Sequence, residues 1–197
     1  MENLIRLFER LFLIMLSVGV IIRIAPHVPA QPQLLLFLFS ELVGVVLILC
    51  QRRGEWTAEP LPVLIAFAGT ATSLLVVPTG AALLSPAVAT LLIFTGGTIA
   101  LGAKLSLGRS FGIVPANRGV KRIGVYRLVR HPMYLGYMLN HLGFLVMFCS
   151  AWNVLVYALT WTLLWLRTRE EERFLRQDPA YRAYAGQVRY RLIPGLL

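Results

Sequence analysis

Six long apolar runs divide this chain, at roughly 7–25, 33–51, 61–78, 83–103, 133–150 and 151–167. Each is close to the roughly 17–25 residues a helix needs to cross the hydrocarbon of a bilayer. In lipid every backbone N–H and C=O has to be satisfied within the protein, so a spanning segment is a helix or a barrel strand. Alternating segments of about ten residues, the mark of a barrel strand, are absent. The sequence therefore reads as one all-α domain over 1–197. It is a polytopic membrane helical bundle of about six transmembrane helices, or five if one segment is re-entrant or lies flat. Residues 1–103 carry four spans and residues 104–197 the remainder. The last two runs abut, so a tight hairpin is expected near Ser150–Asn153. Pro26, Pro29 and Pro32 punctuate the first loop, and Pro60, Pro62, Pro78 and Pro86 mark other helix ends.

Composition agrees. Of 197 residues, 57% are hydrophobic and 14% charged, and the mean hydropathy is +0.71. Soluble domains are roughly 45–50% apolar and about 25% charged, so a soluble enzyme, a disordered tail and a disulfide scaffold are excluded. Cys50 and Cys149 end apolar runs without a CxxC or a metal-ligand spacing, and read as packing residues; no metal site is expected. The first apolar run opens with Arg6, Glu9 and Arg10 and ends without a small-residue cleavage site, so it reads as a retained first span.

The net charge is +10, from 19 basic and 9 acidic residues. Such a balance can answer to nucleic acid, anionic lipid or an anionic small molecule. Its distribution decides. With the N-terminus inside, cytoplasmic segments hold Arg6, Arg10, Arg52, Arg53 and every basic residue from Lys104 to Arg191, while the outside loops hold only Arg23. That sidedness fits an integral membrane protein with both termini cytoplasmic, and no nucleic-acid partner is expected. Fourteen of the 19 basic residues lie in 104–132 and 167–191, more than orientation requires. The surplus answers either to anionic headgroups of the bilayer or to a site for something anionic.

Gly124-Val-Tyr126-Arg-Leu-Val-Arg130-His131-Pro132-Met-Tyr134-Leu-Gly136 is the informative stretch. Pro132 suits the first turn of a helix, where its missing N–H would be unpaired anyway. Arg130 and His131 then sit at a helix N-terminus, which favours anions, although a histidine there can also be a simple cap. Beyond the last span, Arg167-Thr-Arg169-Glu170-Glu171-Glu172-Arg173 places three successive acids about 100° apart, so at least one should face inward; the alternative is a set of i,i+3 and i,i+4 pairs on a wet helix. The tail carries Tyr181, Tyr184, Arg189, Tyr190, Arg191 and Pro194, either lying at headgroup level or folding back as a lid.

The run Arg-His-Pro-x-Tyr-x-Gly at 130–136, preceded by Gly124-x-Tyr126 and followed by Glu171-Glu172-x-x-Leu175, Tyr181-x-x-Tyr184 and Arg191-x-x-Pro194, resembles the isoprenylcysteine carboxyl methyltransferase family, in a wider group with phospholipid N-methyltransferases. The resemblance covers roughly 104–197. It implies S-adenosylmethionine as methyl donor, held by the cytoplasmic loop, the Arg-His-Pro helix start and the tail. Arg130, Glu171, Glu172 and Arg191 are then the expected catalytic residues. Gly124, Tyr126, Arg130, His131, Pro132, Tyr134, Gly136, Glu171, Glu172, Tyr181 and Tyr184 are the expected cofactor contacts. Arg130 and His131 suit the donor's carboxylate, the acids its hydroxyls and amino group, and aromatic faces its sulfonium. Family members acting on prenylated termini are often longer, and this compact chain is like the prokaryotic relatives, which implies a prokaryotic inner membrane as its location. The methyl acceptor, lipophilic and partnered with the bilayer, is then an isoprenylcysteine-like carboxylate, a lipid or a small hydrophobic molecule; the accepting atom and the oligomeric state stay open.

Glu41 within the second span and Asn140 and His141 within the fifth are costly in lipid and read as the substrate side, or as an interhelical hydrogen bond, with Glu41 paired to Asn140 or His141. Glycines 96, 97, 102, 136 and 143 are expected to allow close helix approach. A sterol-reductase-type enzyme using NADPH is the alternative enzyme reading, and a small transporter with Glu41 as ion site is the other. The intact Arg-His-Pro and the Glu pair favour the methyltransferase.

Overall fold

The computed structural model describes residues 2–29, 32, 34–57, 59–193 and 195; Pro194 lies outside the described residues. Helices α1 (Glu2–Ile24), α2 (Leu34–Leu49), α3 (Pro60–Ala71), α4 (Pro86–Leu107), α5 (Pro132–Met147) and α6 (Ala151–Leu175) fall on the six apolar runs, and α7 (Pro179–Gln187) follows. The prolines do what their position allows: α3, α4, α5 and α7 each open on one. The hairpin turns where the sequence places it, with Ser150 Oγ accepting from Asn153 N at 3.2 Å at the start of α6.

The six-span expectation is met only in part. Among the described residues one helix, Pro86–Ser110 with its 3-10 end, is long and apolar enough by itself to cross a membrane. The run at 61–78 is helical only to Ala71 and continues as a 3-10 turn, Thr72–Leu75. The run at 151–167 goes the other way. Its helix continues to Leu175, so the acidic cluster is one more stretch of α6 rather than a separate element. The fold is also not purely helical, since β1 (Glu55–Trp56) pairs antiparallel with β2 (Ala116–Asn117).

Polarity is distributed inside out. Leu4, Leu11, Met15 and Ile22 of α1 and Leu35, Phe39, Leu42 and Val46 of α2 are exposed, while Glu9, Lys104, Asn153, Arg167 and Glu172 are buried. Soluble monomers rarely show contiguous apolar patches beyond a few hundred Å².

Helices α4 and α5 cross through glycine. A Cβ on Gly96 would stand 2.6 Å from the Gly136 carbonyl oxygen, and one on Gly136 would stand 2.6 Å from the Ala100 amide nitrogen. Those are backbone atoms and cannot swing aside. At Gly143 the contact is Ile93 at 2.7 Å, and at Gly97 it is Leu36 at 3.0 Å. Gly102 is different, meeting only Val125 at 4.0 Å, so it is not part of the crossing. Gly136→Ala is expected to cost about 1–3 kcal/mol, the usual range for overpacking, and to lower the thermal midpoint in detergent. Gly102→Ala should leave that midpoint unchanged or raise it.

Candidate active site

Two extended segments and a helix end meet at the start of α5. The tail runs alongside the Arg-His-Pro corner, with Arg130 N donating to Tyr190 O at 3.0 Å and His131 N to Arg191 O at 2.8 Å. The Arg130 side chain fastens the same contact: its terminal nitrogen donates to Val188 O at 2.7 Å and Arg189 O at 2.6 Å, and its Nε donates to Glu172 Oε1 at 2.7 Å. His131 is not a side-chain cap. Its Nε2 faces Glu172 Oε1 at 3.3 Å.

Glu172 is the hub. Its side chain is 2% exposed, and Arg191 at 3.0 Å and Arg176 at 3.5 Å reach its second oxygen. Burial by itself would push this carboxyl up, but the hydrogen bonds from His131, Arg191 and Arg130 outweigh it and hold it well below the usual carboxylate range. Glu171, one residue earlier, points elsewhere and accepts from Tyr134 Oη at 2.9 Å. The successive acids therefore divide as the 100° spacing requires. Helix α7 closes the corner, with Tyr184 Oη donating to Tyr126 O at 2.7 Å and Asp178 accepting from Asn117 Nδ2 at 2.8 Å. Burial pushes the Tyr184 hydroxyl up to about 12 and lifts Tyr126 and Tyr181 as well.

A pocket of about 90 Å³ lies in this corner, lined by Tyr126, Arg130, His131, Tyr134, Glu171, Tyr181 and Tyr184 together with the loop 112–121. Glu172, Arg191, Gly124, Pro132 and Gly136 are not in its lining. Glu172 and Arg191 act on those that are, Pro132 opens the helix, and Gly136 serves the crossing with α4. Gly124 has φ +57°, and a Cβ there would meet Ser106 Oγ at 2.5 Å. Tyr181 Oη is buried in the corner without a hydrogen-bond partner, as is Arg191 Nε. The lining thus offers a carboxylate, aromatic faces, a guanidinium and an orphaned hydroxyl.

A second, larger cavity of about 460 Å³ runs between the helices, from Arg23 and His27 at one end to Gly112, Ile113 and Met133 at the other. Gly112, Ile113 and Met133 line both spaces, so one wall separates them. Glu41, Asn140 and His141 all line this cavity, but the expected pairing among them does not form. Glu41 Oε1 accepts instead from Lys104 Nζ at 3.0 Å, and the same ammonium donates to Ser40 O at 2.8 Å and Ser40 Oγ at 3.1 Å. A half-buried carboxylate gains most from a full opposite charge, which the Lys104 ammonium supplies. His141 Nδ1 accepts from Trp161 Nε1 at 3.2 Å, and Asn140 Oδ1 is buried and unpartnered.

Sequence reasoning missed Arg167 and Glu9. Arg167 donates to Ile113 O at 2.5 Å and lies 5.3 Å from the centre of the Tyr134 ring. Glu9 Oε1 accepts from Ile113 N at 3.0 Å and Val114 N at 2.5 Å. Their one signal was a charge set in an apolar helix face.

Residues 89–177 match the isoprenylcysteine carboxyl methyltransferase (ICMT) family. Protein-S-isoprenylcysteine O-methyltransferase A of Arabidopsis thaliana is 34% identical over 106 residues, covering 50% of this chain and 54% of that protein. A probable protein-S-isoprenylcysteine O-methyltransferase of Oryza sativa subsp. indica is 40% identical over 68 residues, covering 33% and 36%. The match thus spans about half the length of the Arabidopsis protein and about a third of the rice one. No solved structure matches. The similarity to these methyltransferases lies mainly in the second half of the chain.

The lowered Glu172 carboxyl sets a sign for pH. Its folded-state value lies below the ordinary 4.5, so its contribution is full above about pH 4.5 and is lost only as pH falls through the lowered value. Tail protection against limited proteolysis is therefore expected to be flat from pH 8 to 5. Glu172→Gln should remove the protection at pH 7.5, at a cost of about 3–5 kcal/mol for breaking a buried pair.

Proposed function

We propose that this protein is an integral membrane enzyme that transfers a methyl group from S-adenosylmethionine to a lipophilic acceptor of the isoprenylcysteine carboxylate type. The observation that carries the proposal is the single wall, Gly112, Ile113 and Met133, between a polar pocket at the Arg-His-Pro corner and an apolar cavity among the helices. The match of 89–177 to a carboxyl methyltransferase family supports the same reading. The outward apolar faces of α1 and α2 and the sidedness of the basic residues support six membrane-embedded helices with both termini cytoplasmic.

The donor, when bound, supplies a sulfonium methyl open to in-line attack. Every other task falls to the chain. Tyr181 Oη and Glu171 offer hydrogen bonds to donor hydroxyls and amine, and the rings of Tyr126, Tyr134 and Tyr184 present faces suited to a cation. Arg130 and Glu172 hold the tail, and Arg191 with it, over the pocket and keep water out. Held by Tyr181, Glu171 and the three tyrosine rings, the donor would supply the methyl group taken by an acceptor oxygen. A carboxylate acceptor has no proton to lose, so no general base is needed. Orientation across the wall does the rest.

Ligand pockets generally measure about 300 Å³ or more, so admitting the whole donor requires the corner to open. The seam between the loop and α7 is the place, joined by hydrogen bonds from Asn117 to Asp178 and from Arg122 to the Ala180 carbonyl.

Calorimetry on the detergent-purified protein tests this reading. S-adenosylmethionine and S-adenosylhomocysteine are expected to bind and NADPH not to. Tyr181→Phe should weaken S-adenosylhomocysteine about fivefold, the loss of one hydrogen bond of about 1 kcal/mol. Binding of NADPH alone would overturn the assignment.

A further inference from the structure

Two of the three residues that line both spaces, Gly112 and Ile113, lie in a loop, and a loop facing a cavity on each side needs something to hold it still. The Ile113 peptide is held on both sides. Its N–H, with that of Val114, donates to Glu9 Oε1, and its carbonyl accepts from Arg167. The two charges come from α1 and α6, at opposite ends of the chain. Glu9 is 1% exposed, and its other oxygen accepts from Gln51 Nε2 at 3.3 Å and lies 3.7 Å from an Arg118 terminal nitrogen. Gln51 Nε2 also donates to Phe111 O at 3.1 Å, extending the grip along the loop.

Glu9 lines neither the pocket nor the cavity. Glu9 lies in the charged first turns of α1, between Arg6 and Arg10 in sequence, yet it is buried, and a buried carboxylate is expensive unless it is paired. An apolar side chain in its place would leave the buried Ile113 and Val114 amides without this acceptor, so the loop cannot keep its position without the carboxylate. What Glu9 supplies is a fixed position for two consecutive amides at the wall shared by donor and acceptor.

Building on the proposed function, we infer that Glu9 is a positioning residue for methyl transfer: through the Ile113 and Val114 amides it fixes the loop across which donor and acceptor must align. Arg167 completes the clamp from the other side, but it also lines the cavity, so Glu9 gives the cleaner test. A misplacement of about 1 Å in a reacting geometry can cost about a hundredfold in rate.

Glu9→Gln and Glu9→Asp would be compared with the unaltered protein in detergent. Three quantities are read: hydrogen exchange of peptides over 112–118, the number and affinity of S-adenosylhomocysteine sites by calorimetry, and kcat and KM with N-acetyl-S-farnesylcysteine as acceptor. Exchange over 112–118 is expected to rise at least tenfold in Glu9→Gln, with α4 and α5 unchanged. Ligand sites should persist with affinity within about threefold, and kcat per ligand site should fall at least tenfold with KM within about twofold. Glu9→Asp, which keeps the charge, should recover part of both losses. Unchanged exchange over 112–118 would overturn the inference, and so would a fall in kcat that only tracks lost ligand sites. If the unaltered protein does not methylate the probe, the proposed acceptor class fails, while the exchange measurement still decides whether Glu9 clamps the loop.

Discussion

The Glu172 carboxylate is buried, and it stays ionised there because Arg130, His131, Arg176 and Arg191 converge on it. Burying such a charge costs several kcal/mol unless partners and hydrogen bonds offset it. The offset here comes from three separate parts of the chain: the corner before α5, the end of α6 and the tail. Each depends on the others. Without the acid, Arg130 would remain a buried cation holding two tail carbonyls, and Arg191 would lose its ion-pair partner. The pocket at the Arg-His-Pro corner exists because this one charge draws the tail over it.

The same logic operates deeper in the bundle. Lys104 is 2% exposed and shares its donors between Glu41 and Ser40, while Arg167 spends its donors on the Ala66 and Ile113 carbonyls and the Thr70 hydroxyl. Outside, leucines and phenylalanines face away from the protein. Paired charges inside the bundle and apolar residues on its outer faces suit a solvent of low dielectric, in which paired charges attract strongly and unpaired ones are excluded. Glycine at 96 and 136 then lets α4 and α5 close to backbone contact, so the start of α5 is presented from a rigid pair of helices.

Local chemistry made much of this legible in advance. Pro132 and Pro86 marked helix starts because a missing N–H acts within one turn, and the abutting apolar runs placed the hairpin near Ser150. The Arg-His-Pro and Glu-Glu motifs located the corner, and the 100° spacing explained why Glu171 and Glu172 turn to different neighbours. Long-range pairing was less legible. Nothing near Glu41 in sequence points to Lys104, 63 residues away, and hydropathy made Asn140 and His141 look like its partners. Arg130 looked like a ligand for the donor's carboxylate, yet much of its guanidinium is committed to the tail, a contact that forms only when 188–191 folds back. Glu9 read as part of a helix start because its partners lie more than a hundred residues on. Apolar runs gave helix positions well but not span lengths, since α3 gives way to a 3-10 turn and α6 continues past its apolar run.

The central claim is that the corner held by Glu172 receives the methyl donor, with the cavity behind the Ile113 wall left for the acceptor. An experimental structure with S-adenosylhomocysteine tests it most directly. The account predicts the ligand among Tyr126, His131, Tyr134, Glu171 and Tyr181, against the loop 112–121, with the Arg130–Glu172–Arg191 contacts intact. A ligand in the larger cavity, or a tail detached from Glu172 in the bound state, would contradict it.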